Sequence, residues 1–397
     1  GGTSTDVSLS QGDIRVTSET EVGGLPISIP VIDIHAVGAG GGSIAHVDPG
    51  GALRVGPQSA AGDPGPACYG KGGQQPTVTD ANLVLGRLAP EHFLGGQMAL
   101  KRVAAAAALE RLAQQAGLEP APGFMPAQTA ALGVIEVVNA HMQRALRVIS
   151  VERGYDPRDF TLVAFGGAGG LHAGALARAL GMRRALVPRG ASTLSALGML
   201  SADVVKDYVQ TVMLGGGTPH AELGRLFAPL ERRALRDMAG ESFTAESVQL
   251  ECELDVRYLG QSYELTVPLC ADYQAEYHRA HAKAYGHSDV EAALEIVNLR
   301  LRAVGPVGPV PLPRAWVGPA DATAALSEHR PVVFSDGIVE TSFYAGEALR
   351  PGQIVSGPAV VTYADTTVLI AEGDAATVDS WRNLVLEIAA SEGHGSE

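Results

Sequence analysis

The chain opens with Gly1-Gly2-Thr3-Ser4-Thr5-Asp6-Val7. Consecutive glycines let backbone N–H groups approach phosphate oxygens, and the neighbouring hydroxyls add donors. Asp6 supplies a carboxylate that could hold Mg²⁺ directly or through water. Gly1, Gly2, Thr3, Ser4 and Thr5 are therefore candidate nucleotide-binding residues. Asp6 is a candidate metal ligand and catalytic residue. The alternative is a turn that holds no ligand.

Three further constellations have comparable chemistry. Phe165-Gly166-Gly167-Ala168-Gly169-Gly170-Leu171-His172 has the composition of a strand that ends in glycines and opens a helix. Gly166, Gly167 and Ala168 would let a purine and ribose lie on backbone. The run is not the G-x-G-x-x-G dinucleotide fingerprint, and no acidic residue about twenty positions on supports that reading. It could equally be a tight turn without ligand, with His172 capping or packing. Asp33-Ile34-His35 precedes Gly38-Ala39-Gly40-Gly41-Gly42-Ser43, and residues two apart on a strand share a face. His35 is a candidate acid, base or ligand, against the simpler reading of a packing histidine. In Asp63-Pro64-Gly65-Pro66-Ala67-Cys68, nothing places a base beside Cys68. A rigid loop around a buried thiol is the reading that follows.

The elements that must position these residues follow from periodicity and turn signals. Residues 6–16, with Gly12-Asp13 between two short runs, read as a β-hairpin. Residues 31–37 read as a strand and 56–76 as loop. A helix spans 80–88, capped by Thr79 or Asp80. A surface helix covers 99–117. The clearest helix is 128–152, where Leu132, Ile135, Val138, Met142, Leu146 and Ile149 step by three or four. Gly154-Tyr155-Asp156-Pro157 stops it. A short buried strand at 161–165, a helix at 171–180 and a strand at 184–188 then make an α/β unit. Beyond about 205 come a helix at 219–239 and alternating strands. Val248, Leu250, Cys252, Leu254, Val256 and Tyr258 share a face there, and Gly260-Gln261 turns the chain into Tyr263, Leu265 and Val267. A helix at 273–285, a strand through 295–304 and a Pro/Gly linker at 305–313 follow. The tail, 330–388, reads as short strands. Segments 1–204, 205–310 and 311–397 are the expected domains.

Composition narrows the function classes. The chain has 397 residues, enough for two or three cores, with 46% hydrophobic and 18% charged residues. Its 49 glycines exceed the average usage of roughly 7% and gather at the turns above. A net charge of −14 argues against nucleic acid and anionic membranes as partners. Cys68, Cys252 and Cys270 form no paired motif, which suggests a reducing, cytoplasmic setting. No uninterrupted apolar run reaches ~18 residues, and no signal peptide is visible.

Taken in order, the motifs resemble the hydantoinase A / 5-oxoprolinase / acetone carboxylase β-subunit family. The resemblance rests on residues 1–7, 31–43, 63–70, 76–82, 153–158 and 165–169. Tyr258-Leu259-Gly260-Gln261, Val297-Asn298-Leu299-Arg300 and Gly357-Pro358-Ala359-Val360 extend it. It implies an α/β fold: an actin-like (ribonuclease H-like) ATPase half domain followed by a β-rich C-terminal domain. It implies ATP and Mg²⁺, and phosphoryl transfer onto the oxygen of a lactam, cyclic imide or other carbonyl. It also implies a hydantoinase B-type partner subunit and a small-molecule substrate. A β-type subunit of an ATP-dependent ketone carboxylase and a non-catalytic nucleotide-binding module are the alternatives. Actin-like folds grip phosphate with two hairpins, and only the second is present here. The first is expected on a preceding segment or a separate polypeptide. Gly170 departs from the proline that family members often have, and Ala60-Ala61-Gly62-Asp63 replaces Ala-Gly-Ala-Asp.

Overall fold

A computed structural model describes residues 1–12, 15–17, 20–22, 25–27 and 31–390. It divides into two compact units: residues 1–195 with 312–397, and residues 196–311.

The first unit starts with three nested antiparallel pairings. β1 (Thr5–Val7) pairs with β6 (His35–Val37), β2 (Val16–Thr17) with β5 (Val31–Ile32), and β3 (Thr20–Val22) with β4 (Leu25–Ile27). The hairpin expected over 6–16 is therefore corrected. Val7 faces His35 rather than a residue just beyond Gly12, and Asp13 lies outside the described residues. The partner is chosen by burial: Val7 enters a small core with Ala145 and Ile149, where Val37 also packs.

β7 (Ser43–Val47) and β8 (Leu53–Ser59) form the next hairpin. Helix α1 (Val78–Val84) starts with a capping box whose cap is Thr77, not Thr79 or Asp80. Helix α2 (Arg102–Gln115) and helix α3 (Pro126–Ile149) complete the layer. On α3, Ala130, Val134, Val138, Met142, Ala145 and Ile149 are buried at the helical repeat, and Pro126 sits where its missing N–H costs nothing. β9 (Leu162–Val163), α4 (Gly169–Ala179), β10 (Arg184–Val187) and α5 (Leu194–Ser201) follow. β9 pairs with β10 in parallel and is the edge of its sheet. Its expected burial is corrected accordingly: Val163 is 46% exposed and Phe165 44%.

The second unit is an antiparallel sheet with two helices. β11 (Val204–Gly215) precedes α6 (His220–Gly240), β12 (Gln249–Tyr258), β13 (Leu265–Pro268), α7 (Tyr273–Tyr285) and β14 (Leu294–Gly305). The strand order is β11-β14-β12-β13. Leu254, Val256 and Tyr258 occupy the core face, as the alternation predicts, with Phe227, Met238 and Tyr277 from the helices. Tyr263 falls outside β13 and is exposed.

The last segment returns to the first unit. It contains β15 (Leu326–Phe334), β16 (Gly337–Ala345), β17 (Ile354–Ser356), β18 (Ala359–Thr362), β19 (Thr367–Ile370), β20 (Ala375–Val378) and β21 (Leu384–Glu387). β17, β20 and β21 extend the sheet of β10 and β9, while β15, β16, β18 and β19 form another. Ala173 and Ala177 of α4 share one core with Val368, Ile370 and Leu386. The compact units thus cut the chain differently from the three expected segments. Residues 312–397 share sheet and core with the first 195. The α/β class holds: a mixed sheet carries helices, with a parallel β9–β10 pair around α4.

Candidate functional site

Three of the glycine-rich runs meet through their backbones. The Gly41 N–H donates to Gly1 O at 3.0 Å, and Thr5 Oγ1 donates to Ala39 O at 2.6 Å. A Cβ on Gly40 would stand 2.7 Å from Gly1 O and 2.9 Å from Thr3 C, so no side chain fits. Gly166, at φ +87°, would bring a Cβ to 3.1 Å from Gly1 Cα. Close backbone approach is thus the local reason for glycine here.

Two cavities adjoin this junction. The larger, about 950 Å³, is lined along one side by residues 1–10 and along another by 160–169. The smaller, about 400 Å³, lies under the loops around Tyr69 and Phe93. Gly2, Thr3, Gly167 and Ala168 line both. All eight backbone-type candidates are thereby placed together: Gly1, Gly2, Thr3, Ser4 and Thr5 line the larger cavity, as do Gly166, Gly167 and Ala168.

Asp6 is exposed and lines the larger cavity, with Ser4 Oγ donating to its Oδ2 at 3.5 Å. One carboxylate beside backbone that can hold phosphate fits Mg²⁺, which keeps most of its waters and takes few protein ligands. Among the described residues no group of three or more His, Cys, Asp or Glu could hold a metal by itself. His35 is separated from this arrangement. It pairs with Val7, one register step from Asp6, so it leaves the ladder on the opposite face. It lines neither cavity. Asp33 instead forms an ion pair with Arg153.

His172 enters the site, which the sequence left open. It is 1% exposed and lines the larger cavity. Its Nδ1 meets Asn139 Oδ1 at 2.7 Å. Burial, aided by the positive charge of Arg87, pushes its pKa down to about 3, so the ring is neutral. With Nδ1–H donating to Asn139, Nε2 is left as a buried acceptor with no partner among the described residues.

Cys68 is fully buried, as the loop reading expects. Burial and then the neighbouring Asp80 carboxylate push its thiol far above the ordinary range. Its backbone is what matters: the Ala67 and Cys68 N–H groups donate to Asp80 at 3.2 and 2.7 Å. Asp80 also accepts from Thr77 N and Thr77 Oγ1 at 2.9 and 2.8 Å. Thr79 then holds Gly41 O through both its N–H and its hydroxyl, each at 2.8 Å.

A second set of supports, on the turn between β18 and β19, carries no local signal in the sequence. Thr366 Oγ1 lies 3.3 Å from Gly166 O and 3.2 Å from Gly167 O. Asp365 Oδ2 accepts from Ser192 Oγ at 2.6 Å. Beyond β19, in the turn before β20, the buried Asp374 pairs with Arg178 of α4 at 2.5 Å. Only Gly357-Pro358-Ala359-Val360, just before the first of these turns, lay within the recognised motifs.

Residues 1–208 match the hydantoinase/oxoprolinase family, and residues 218–389 match the hydantoinase/oxoprolinase C-terminal domain. The chain belongs to the hydantoinase/oxoprolinase family. Caprolactamase subunit alpha of Pseudomonas jessenii is 37% identical over 398 residues, 96% of this chain and 56% of that protein. The 5-oxoprolinase of Saccharomyces cerevisiae is 33% identical, over 95% of this chain and 31% of that one. A nucleotide-free structure of acetone carboxylase, whose carboxylation depends on ATP, superposes with a TM-score of 0.86 at 27% identity. It covers 98% of this chain and 57% of that one. This hydantoinase/oxoprolinase chain thus spans between about a third and somewhat over half of these relatives. Among the described residues no helix is long and apolar enough to cross a membrane.

Proposed function

We propose that this chain is the ATP-activating portion of an ATP-dependent amidohydrolase of the hydantoinase/5-oxoprolinase type. The observation that supports it best is the meeting of Gly1–Gly2, Gly40–Gly42 and Gly166–Gly167 beside the Asp6 carboxylate. Backbone amides and hydroxyls of residues 1–5 hold phosphate oxygens on this reading. Residues 166–168 support the nucleoside. Asp6 holds Mg²⁺ directly or through water, and the metal offsets the negative charge of the phosphates.

The chemistry required is activation of a poor electrophile. The γ-phosphoryl group passes to a lactam or imide carbonyl oxygen: its bond to ADP breaks and a P–O bond to that oxygen forms. The nitrogen gives up its proton. Water adds to the imidate carbon, the adduct expels the ring nitrogen, which takes a proton, and an acyl phosphate remains. A second water releases carboxylate and phosphate. Catalysis of the first step is positioning and charge stabilisation, which a rigid backbone floor supplies. A further segment of the enzyme supplies the other phosphate hairpin, and a hydantoinase B-type subunit carries out the hydrolytic steps. The chain's coverage of 56% and 57% of two relatives, and the word subunit in the name of the first, support a larger enzyme of more than one part.

A second reading, a subunit of an ATP-dependent ketone carboxylase, is supported by the TM-score of 0.86 to acetone carboxylase. ATP turnover by the assembled enzyme separates the two. A lactam alone stimulates it on the first reading; a ketone with bicarbonate does on the second. Asp6→Asn in that enzyme abolishes turnover on either. Undiminished turnover would remove Asp6 from the mechanism.

A further inference from the structure

The larger cavity is bounded by two strands whose outer edges have no partner strand among the described residues. β1 pairs only with β6, and β9 only with β10, where it ends its sheet. Residues 1–10 line one side of the cavity and residues 160–169 another. Along the second side the Ala164 N–H donates to Leu186 O at 2.9 Å, and the Gly166 N–H donates to Ala191 O at 2.8 Å. Backbone groups alternate in direction along a strand, so the N–H groups of Val163 and Phe165 point away from β10. Both residues line the cavity. A row of unpaired backbone groups of this kind is a template for another strand.

The helices beside this slot present apolar side chains to it. Met142, Leu146 and Ile149 of α3 line it, with Leu176 of α4 and Met182. In an α/β layer a sheet covers such helix faces. Here the five-stranded sheet stops at β9, and the β1–β6 pair stands apart from it. Among the described residues no lysine or arginine lines the cavity, and its one carboxylate is Asp6. The slot thus offers backbone hydrogen bonds and apolar contact, the two things a β-strand uses. The edges also run in opposite senses. β9 leads toward Gly166 and β1 leads away from Gly1, and a Cβ on Gly166 would stand 3.1 Å from Gly1 Cα. A strand between them is parallel to one edge and antiparallel to the other.

We propose that this slot takes an extended apolar strand, of about five or six residues, from the further segment of the enzyme that supplies the other phosphate hairpin. The strand joins the β1–β6 pair and the five-stranded sheet into one mixed sheet, and alternate side chains rest on α3 and α4. Length supports this occupant: the chain covers 56% and 57% of two relatives, which leaves ample polypeptide outside it. Gly2, Thr3, Gly167 and Ala168 also line the smaller cavity, so the glycine floor stays open from that side when the slot is filled. The inference rests on the enzyme extending beyond this chain, and not on which cavity holds the nucleotide.

The test is amide hydrogen exchange in the assembled, nucleotide-free enzyme. The Val163 and Phe165 amides are expected to exchange roughly a hundredfold or more slowly than unpaired amides, as Ala164 does. Exchange of these two at the unpaired rate overturns the proposal. So does protection that appears only when ATP is added, because the slot is then a nucleotide pocket. Benzoylphenylalanine in place of Val163 identifies the donor by photo-crosslinking. Attachment to the further segment is the expected result; attachment to the hydantoinase B-type subunit, or to no polypeptide, overturns it. Val163→Pro removes an N–H that β10 does not use, and proline is tolerated on a true edge strand. The expected result is a melting temperature of the assembled enzyme lowered by several degrees. An unchanged melting temperature overturns the proposal. If that variant does not assemble, hydrogen exchange in the unmodified enzyme decides. A fully active enzyme with this chain as its only polypeptide would instead strike the reading on which the inference rests.

Discussion

Asp80 in the first unit and Asp255 in the second are both fully buried carboxylates, and they are satisfied in different ways. Asp80 has no ion-pair partner among the described residues. It accepts from three backbone N–H groups and one hydroxyl, all between residues 67 and 77. Asp255 is held by side chains: Arg300 Nε at 2.6 Å, Asn298 Nδ2 at 2.8 Å and Thr266 Oγ1 at 2.7 Å. Those partners lie on β14 and β13, either side of its own strand. The first carboxylate moulds a loop and a helix start that frame a cavity. The second ties three strands of a sheet together. The difference separates a carboxylate that shapes backbone beside a cavity from one that holds a sheet together.

The largest effect is expected at Asp80. Asp80→Ala leaves four buried donors without an acceptor, at about 1 kcal/mol or more each, so roughly 4 kcal/mol or more of stability is lost. Urea unfolding measures this. The loop at 67–69 and the Thr79–Gly41 contact loosen with it, and ATP binding falls in parallel. A variant of near-native stability would show that the carboxylate is replaceable and the comparison empty.

Asp255→Ala should cost about 3 kcal/mol, because it strands Arg300 and Asn298 at a site built for an anion. Arg300 is 41% exposed, so water relieves part of that cost and keeps the loss below that at Asp80. The comparison predicts that ATP affinity, measured below the unfolding transition, does not change. Loss of ATP binding in the folded variant would break the division between shaping and holding.

His172 gives an intermediate effect, read through pH. Its folded pKa, about 3, is depressed from the ordinary 6.5 by burial and Arg87. The unfolded chain therefore takes up a proton that the folded chain refuses. The stability from keeping this ring neutral is complete above pH 6.5 and is lost as pH falls toward 3. Between pH 8 and pH 5 the loss is about 2 kcal/mol. In His172→Gln that share of the acid dependence disappears. Equal pH slopes in the two proteins would place the imidazole in contact with water.

What could be read in advance follows the same divide. The contacts of Asp80 span 3 to 13 residues, and the motifs around it, 63–70 and 76–82, were visible as units. Even so, the cap fell on Thr77, because several hydroxyl or carboxylate residues in a row suit a helix start equally well. The glycine runs were each legible, since glycine at such density is costly unless backbone must come close. Their meeting was not, because Gly1 and Gly166 touch only through the fold. Val7 found His35 rather than a residue past Gly12 because burial against α3 outweighs a local turn signal. The return of residues 312–397 to the first unit left no local trace, since a strand's sequence does not say which sheet it joins. Asn298 and Arg300 were recognised as a motif, but their partner, Asp255, lies 43 and 45 residues away.

The smallest effect tests whether that returning segment shapes backbone or merely holds. Thr366 Oγ1 sits 3.2 to 3.3 Å from the carbonyls of Gly166 and Gly167 and can donate to one at a time. Thr366→Val keeps the shape and removes about 1 kcal/mol of stability. If the hydroxyl only held the turn, the loss would stop there. If it orients the turn for the nucleoside, KM for ATP also rises several-fold while kcat stays near its starting value, because a displaced floor weakens ground and transition states alike. That split between KM and kcat is the outcome expected of a residue on the shaping side of the comparison. A stability loss with unchanged kinetics would move Thr366, and the turn between β18 and β19, to the side of Asp255.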